Sequence, residues 1–372
     1  MTGRWSDLLI ALRAPSAMAG FDADSWDLVV RQASSAGLLG RLGALARGAG
    51  IEDALPLAVR RHLSAVLTIA TQQQRAVRWE LVQLTHALAE IEGPILLLKG
   101  AAYAAADMPP AAGRLFSDID LLVPKAQIGA AEAALMLGGW VSGHRSVYDQ
   151  RYYRQWMHEI PPMTHLRRRT VLDLHHNILP ETARIRTQPQ LIIAKAQPLA
   201  EFPRFSIPCP VDLVLHSATH LFHEGEWAHG LRDLVDLDTM LRDFGQRHDF
   251  WADLLERAGQ LNLGRPLFYG LRYCARLLQT PVPIDVFGRV PARPSVSVAK
   301  AMDRLFVPAF STCHDSCRMS GGGTASLALY VRSHWLRMPL HLLLPHLARK
   351  FWDQNIAAAF KVDAAQTDGH RP

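Results

Sequence analysis

The feature that most constrains this fold is an abrupt change of pattern at Pro94. Residues 57–92 contain neither proline nor glycine. Across them Leu63, Val66, Leu67, Ala70, Leu81, Leu84, Leu88 and Ile91 recur at helical spacing, which predicts one long helix with a single weak point at 71–74. Pro94 then introduces Ile95-Leu96-Leu97-Leu98, wholly apolar and too short for a helix, as a strand buried on both faces would be. Upstream, Trp26, Leu28, Val29 and Ala33 also repeat helically behind a cap at Asp24 or Ser25. The expectation is an α+β chain, a small mixed sheet with flanking helices set between two helical regions. Its divisions are a helical N-terminal region over 1–92, an α/β core over 93–205, a helical region over 206–319, a C-terminal helical segment over 320–362 and a disordered tail over 363–372.

Within the core, Lys99-Gly100 ends the first strand and 101–106 forms a short helix. A loop with Pro109, Pro110 and Gly113 leads to a second strand over 117–123, and an alanine-rich helix over 125–137 stops at Gly138-Gly139. Further strands are expected at 140–142, 151–160 and 170–178, with Arg167-Arg168-Arg169 before the last as a solvated turn. Helices are expected again at 211–223, 227–243, 249–260 and 265–278, and 320–324 reads as a flexible link. The stretch 327–352 mixes Leu and Trp with Arg and reads as a packed helix pair, peripheral membrane contact being the lesser alternative.

The chemistry concentrates on acidic residues placed in apolar strands. Successive strand side chains alternate faces, so Asp118 and Asp120 project together while Ile119 and Leu121 point the other way. Adjacent carboxylates repel unless a cation lies between them, and Mg²⁺ favours carboxylate and phosphate oxygens. The same spacing also occurs on solvated strand faces. In the later strand, Val171, Asp173 and His175 share one face, and an Asp inside an apolar strand needs a partner or a purpose. If the two strands lie side by side, Asp173 completes a three-carboxylate cluster able to hold two metal ions. Otherwise Asp173 caps a turn or pairs with an arginine of 167–169. Lys99-Gly100 stands where strand gives way to helix, a place where backbone N–H groups and a point charge can meet phosphate.

In order, the helical N-terminus, Ile95-Leu96-Leu97-Leu98-Lys99-Gly100-Ala101-Ala102-Tyr103, Arg114-Leu115-Phe116-Ser117-Asp118-Ile119-Asp120-Leu121-Leu122-Val123 and Val171-Leu172-Asp173-Leu174-His175 resemble the uncharacterised nucleotidyltransferase family of the DNA polymerase β superfamily. The resemblance extends through His216 and His220 to Trp227 and Leu231-Arg232-Asp233-Leu234-Val235-Asp236-Leu237, covering about residues 5 to 260. It implies a metal-dependent nucleotidyltransferase that moves an NMP group from an NTP to a hydroxyl or phosphate acceptor. Asp118, Asp120 and Asp173 would bind Mg²⁺ or Mn²⁺, with Lys99, Gly100, Arg114, Ser117 and Arg232 on the nucleotide side. The sequence departs from the superfamily pattern in having Ala101 after Gly100 instead of a second glycine or a serine, and Asp118 follows eighteen positions later. The longer connection 107–114 leaves Arg114 to supply replacement charge. The alternative is a catalytically inactive scaffold or accessory subunit in peptide or polysaccharide maturation.

Composition narrows the rest. With 40 Lys and Arg against 34 Asp and Glu the net charge is +6, which suits an anionic substrate but falls short of a nucleic-acid-coating protein. The basic residues are scattered, so direct nucleic-acid binding is not expected. Nine of seventeen histidines fall between His144 and His229, yet His216 and His220 lack the intervening Glu of a zincin helix. Arg232 and Asp236 read as an i, i+4 helix pair. Cys313, His314 and Cys317 have no second ligand pair at zinc spacing. No secretory leader or spanning segment is visible, and a cytoplasmic location is the expectation.

Overall fold

Helices flank the sheet on both sides in sequence because apolar residues there repeat every three or four positions, and the sheet sits between them where that repeat stops. The computed structural model describes residues 6–351 apart from 144–146, 224, 226, 312–313 and 318–321. The N-terminal helices are α1 (Ser6–Arg13), α2 (Ala23–Ser35), α3 (Leu39–Gly48) and α4 (Leu57–Ala87). Asp22 caps α2 by accepting from the Ser25 N–H, two residues before the nearer of the expected caps. Helix α4 runs unbroken through 71–74 and stops five residues short of Glu92, with Val59, Leu63, Leu67, Ala70, Val77, Leu81 and Leu84 on its buried stripe.

The core contains β1 (Ile95–Leu98), α5 (Lys99–Ala105), β2 (Asp118–Leu122), α6 (Ile128–Leu137), β3 (Trp140–Ser142), α7 (Val147–Trp156), β4 (Met163–His165), β5 (Val171–His175), α8 (Pro189–Ala194), β6 (Gln197–Pro198) and β7 (Phe205–Ile207). They form one mixed sheet in the order β3-β4-β5-β2-β1-β7-β6. Strand β1 is interior to the sheet and buried along its whole length, as its unbroken apolar run requires. It pairs antiparallel with β2 and parallel with β7. Pro198 lies in edge strand β6, where a missing N–H costs no ladder bond.

The expected strand over 151–160 is instead helix α7 as far as Trp156. Only Glu159 is extended there, bridging antiparallel to His175. The turn 167–169 is only partly solvated. Arg168 donates three hydrogen bonds to the carboxylate of Glu80 on α4, and Thr170 donates a fourth.

The second helical region comprises α9 (Pro210–His223), α10 (Gly230–Phe244), α11 (Phe250–Gln260), α12 (Gly264–Tyr273) with a π turn over Cys274–Leu278, α13 (Ile284–Arg289) and α14 (Val296–Ala309). Helices α15 (Gly322–Arg337) and α16 (Leu340–Phe351) follow, and α15 packs on α14, α9 and α16. Gly322 and Gly323 open α15 rather than a flexible link. Cys313 and the expected tail at 363–372 lie outside the described residues. Among the described residues no helix is long and apolar enough to cross a membrane. Leu97 is fully buried in the interior strand β1. Leu97→Ala is expected to lower unfolding free energy by about 2–5 kcal/mol, read from the midpoint of denaturant unfolding at constant slope.

Candidate functional site

Strands β2 and β5 run parallel in a register that pairs Asp118 with Val171, Asp120 with Asp173, and Leu122 with His175. Residues in register share a face, so the two-residue strand period brings Asp118, Asp120, Asp173 and His175 to one side of the sheet. Ile119, Leu121, Leu172 and Leu174 take the other side and are buried in the core. The three carboxylates foreseen from sequence are thus brought together by one strand pairing. Asp120 is 3 % exposed, while Asp118 and Asp173 are half-buried.

Asp120 is the electrostatic centre. Its Oδ1 lies 3.2 Å from Lys99 Nζ and 2.9 Å from His175 Nε2. Burial alone would raise its pKa, but Lys99 and His175 together hold it well below the usual carboxylate range. Burial likewise opposes the charge on Lys99, and Asp120, Asp118 and Glu159 outweigh it, raising its pKa. Lys99 takes φ 44°, a left-handed conformation that costs a non-glycine residue energy, at the turn from β1 into α5. That turn aims the amine back across the strand ends.

Asp173 is in the opposite condition. Burial pushes its carboxyl up to about 7, helped by Asp120 and Glu159, and its buried Oδ1 has no hydrogen-bond partner. Asp173 sits mid-strand rather than at a turn, and Arg168 of the preceding turn is committed to Glu80. Ser117 is exposed and donates to Asp118 Oδ1 at 2.9 Å.

Two site neighbours escaped the sequence reading. Glu159 Oε2 lies 3.2 Å from His175 Nδ1 and 3.9 Å from His158 Nε2. Burial and the nearby His175 hold His158 well below its ordinary pKa, so its ring is neutral. The one local signal was the density of histidines. Their convergence on β5 comes from an isolated bridge between residues sixteen apart, which no spacing rule reports.

The basic side is built differently from expectation. Arg114 Nε donates to Asp236 Oδ2 at 2.8 Å, and Asp236 and Asp233 raise the arginine's pKa against the effect of burial. Arg232 pairs with Asp233 at 2.9 Å, not with Asp236. The clearance left by the absent side chain of Gly100 is taken up by the Arg114 guanidinium and Phe116, since an added Cβ would meet them at 2.7 and 3.2 Å. The loop that delivers Arg114 is fixed by Arg41, which donates to the Pro109 and Pro110 carbonyls. It is also fixed by Gly113 (φ 69°), whose backbone crosses that of Gly40 so closely that a Cβ on either would overlap the other's carbonyl oxygen.

Two recesses open on the acidic face and share Lys99, Asp118 and His220. One, of about 120 Å³, adds Gly100, Arg114, Ser117, Asp120 and Arg232. The other, of about 400 Å³, adds Tyr153, His158, Glu159, Asp173 and His175. A separate cavity of about 520 Å³ around Cys209 and Arg257 shares no lining residue with either.

A mixed sheet with carboxylates from two neighbouring strands, and a lysine at the adjoining strand-to-helix turn, is the arrangement the sequence resemblance implied. The chain belongs to the uncharacterised nucleotidyltransferase family, whose model matches residues 22–279. The matched span contains every carboxylate and arginine described above. No curated protein and no solved structure matches the chain.

A carboxyl raised to about 7 has a definite sign in solution. The native state favours protonated Asp173, so its stabilising contribution is complete below about pH 4 and is lost as pH rises through about 7. Chelator-treated protein is therefore expected to melt at lower temperature at about pH 8 than at about pH 5, and Asp173→Asn should remove most of that difference in a pH series of thermal scans. Equal slopes for wild type and variant would show that Asp173 ionises normally.

Proposed function

We propose that this chain transfers a nucleoside monophosphate group from an NTP to a hydroxyl or phosphate acceptor, with release of pyrophosphate. The observation that carries the reading is the register placing Asp173 opposite Asp120, beside Asp118. The donor set suits a hard divalent cation, Mg²⁺ or Mn²⁺, because a cation at this face would satisfy the orphaned Asp173 Oδ1 and relieve the repulsion that raises its pKa. Bound to Asp118, Asp120 and Asp173, the ion would neutralise phosphate charge and make an attacking hydroxyl more acidic.

The remaining roles fall to side chains of the chain itself. As the acceptor oxygen bonds to the α-phosphorus, the bond to the pyrophosphate oxygen breaks and the acceptor's proton must leave. Asp173, from its place in the larger recess, would orient the acceptor oxygen and take that proton. Lys99 adds fixed positive charge between the two recesses. Ser117, Arg232 and Arg114 line the smaller recess as phosphate contacts, with the backbone at Gly100 beside them. Both arginines hold acidic partners, so phosphates would draw them from Asp236 and Asp233. Most of the catalysis is positioning and charge stabilisation.

One observation favours the inactive-scaffold alternative, the filling of the Gly100 clearance by Arg114. The two readings separate on one assay. With α-labelled NTP, Mg²⁺ and cell extract as the source of acceptor, wild-type protein should give labelled product, and Asp118→Asn or Asp120→Asn should lower the yield by about 10²-fold or more. Equal labelling by all three proteins would exclude the carboxylate assignment. Failure of wild type to bind Mg-NTP in calorimetry, together with recovery of a stable protein partner, would establish the scaffold.

A further inference from the structure

The larger recess contains a second donor set that the acidic face does not need. His158, Glu159 and His175 each offer one ligand atom, and these atoms lie within 4.8 Å of one another. The shortest separation is 3.2 Å between His175 Nδ1 and Glu159 Oε2. Two donors about 2.0–2.1 Å from a tetrahedral ion stand about 3.3 Å apart, so this pair is already at ligand spacing. His158 Nε2, at 3.9 Å from the same oxygen, needs to approach by a few tenths of an ångström.

The state of His175 supplies an independent indication. The ring is 96 % buried, being 4 % exposed. Its Nε2 is 2.9 Å from Asp120 Oδ1, which as a carboxylate accepts the Nε2 proton. The buried Nδ1 thereby faces Glu159 Oε2 at 3.2 Å, yet makes no hydrogen bond. Either a proton on Nδ1, which the flanking carboxylates favour, or a metal ion can lie between this nitrogen and the Glu159 oxygen. A carboxylate holding the far nitrogen of a ligating imidazole is also the recurrent outer-shell partner of a metal-bound histidine.

We infer that His158, Glu159 and His175 form a transition-metal site of the Zn²⁺ class, distinct from the carboxylate site and joined to it through the His175–Asp120 hydrogen bond. Two imidazoles and one carboxylate select a borderline ion over Mg²⁺, which prefers an all-oxygen shell. Three protein ligands leave a coordination position open toward the recess that also holds Asp118 and Asp173. An ion there is placed to bind an oxygen of whatever enters that recess. The inference stands on donor geometry and does not require that the chain transfers nucleotides.

The test uses Co²⁺ as a spectroscopic substitute, added to chelator-treated full-length protein with excess Mg²⁺ present. One equivalent should bind with the visible spectrum of a nitrogen-containing site of low coordination number, and Zn²⁺ should displace it. His158→Asn and Glu159→Gln should abolish that spectrum, Asp118→Asn should retain it, and Asp120→Asn should weaken binding by about 10–100-fold. Far-UV circular dichroism checks that each variant is folded. Pulsed electron paramagnetic resonance of the wild type loaded with one equivalent of Cu²⁺ should detect two imidazole nitrogens, a readout that depends on no variant. The inference is overturned if Co²⁺ does not bind, if binding survives in both His158→Asn and Glu159→Gln, if Asp118→Asn alone removes it, or if fewer than two imidazoles are seen.

Discussion

The parallel pairing of β2 with β5 is the interaction on which the rest of the molecule depends. It is an apolar contact first. Ile119, Leu121, Leu172 and Leu174 bury one face of both strands, and a slip of one residue would turn those side chains outward and send the carboxylates into the core. The hydrophobic face therefore fixes the register, and the register fixes Asp173 opposite Asp120. Concentrating negative charge on a half-buried face is costly, and the fold offsets it unevenly. Asp120 receives Lys99 and His175, whereas Asp173 has a buried oxygen with no partner. That asymmetry gives two chemically identical side chains different protonation behaviour within one cluster.

The helical regions act on the sheet through a small number of buried polar ties. Glu80 on α4 anchors Arg168 and Thr170 at the entry to β5. On the other side Arg41 from α3 approaches Asp236 at 3.7 Å, Arg114 from the 107–114 connection approaches it at 2.8 Å, and the carboxylate itself belongs to α10. Three segments distant in sequence thus share one buried carboxylate. Removing one partner of such a group leaves the others buried and unpaired, so the arrangement holds the connection tightly against the first helical block. The Gly40–Gly113 backbone crossing adds a steric lock at the same place.

Legibility followed the range of the interactions involved. The break between helix and strand at Pro94, the short buried strand and the paired Asp118 and Asp120 were readable because each depends on residues next to one another. The four helices between residues 210 and 278 were located to within a few positions for the same reason, whereas α13 and α14 were not foreseen. The stretch 151–160 misled, because its aromatic residues suit a strand while its neighbours favour helix α7, with only Glu159 extended. Arg232 and Asp236 have ideal helix spacing, but Arg114, from 122 positions earlier, takes the carboxylate.

What the sequence determined unaided was the family pattern, the class of fold and the faces on which Asp118, Asp120 and Asp173 must lie, since strand alternation and apolar runs are local properties of the chain. What the tertiary structure alone decided was which charges meet. Lys99 and His175 on Asp120, Glu159 and His158 beside His175, and Arg114 on Asp236 all arise from segments far apart in the chain. Coulombic and hydrogen-bonding partners are chosen by proximity in space, and within a buried site the low dielectric makes those choices strong enough to override spacing along a helix or strand.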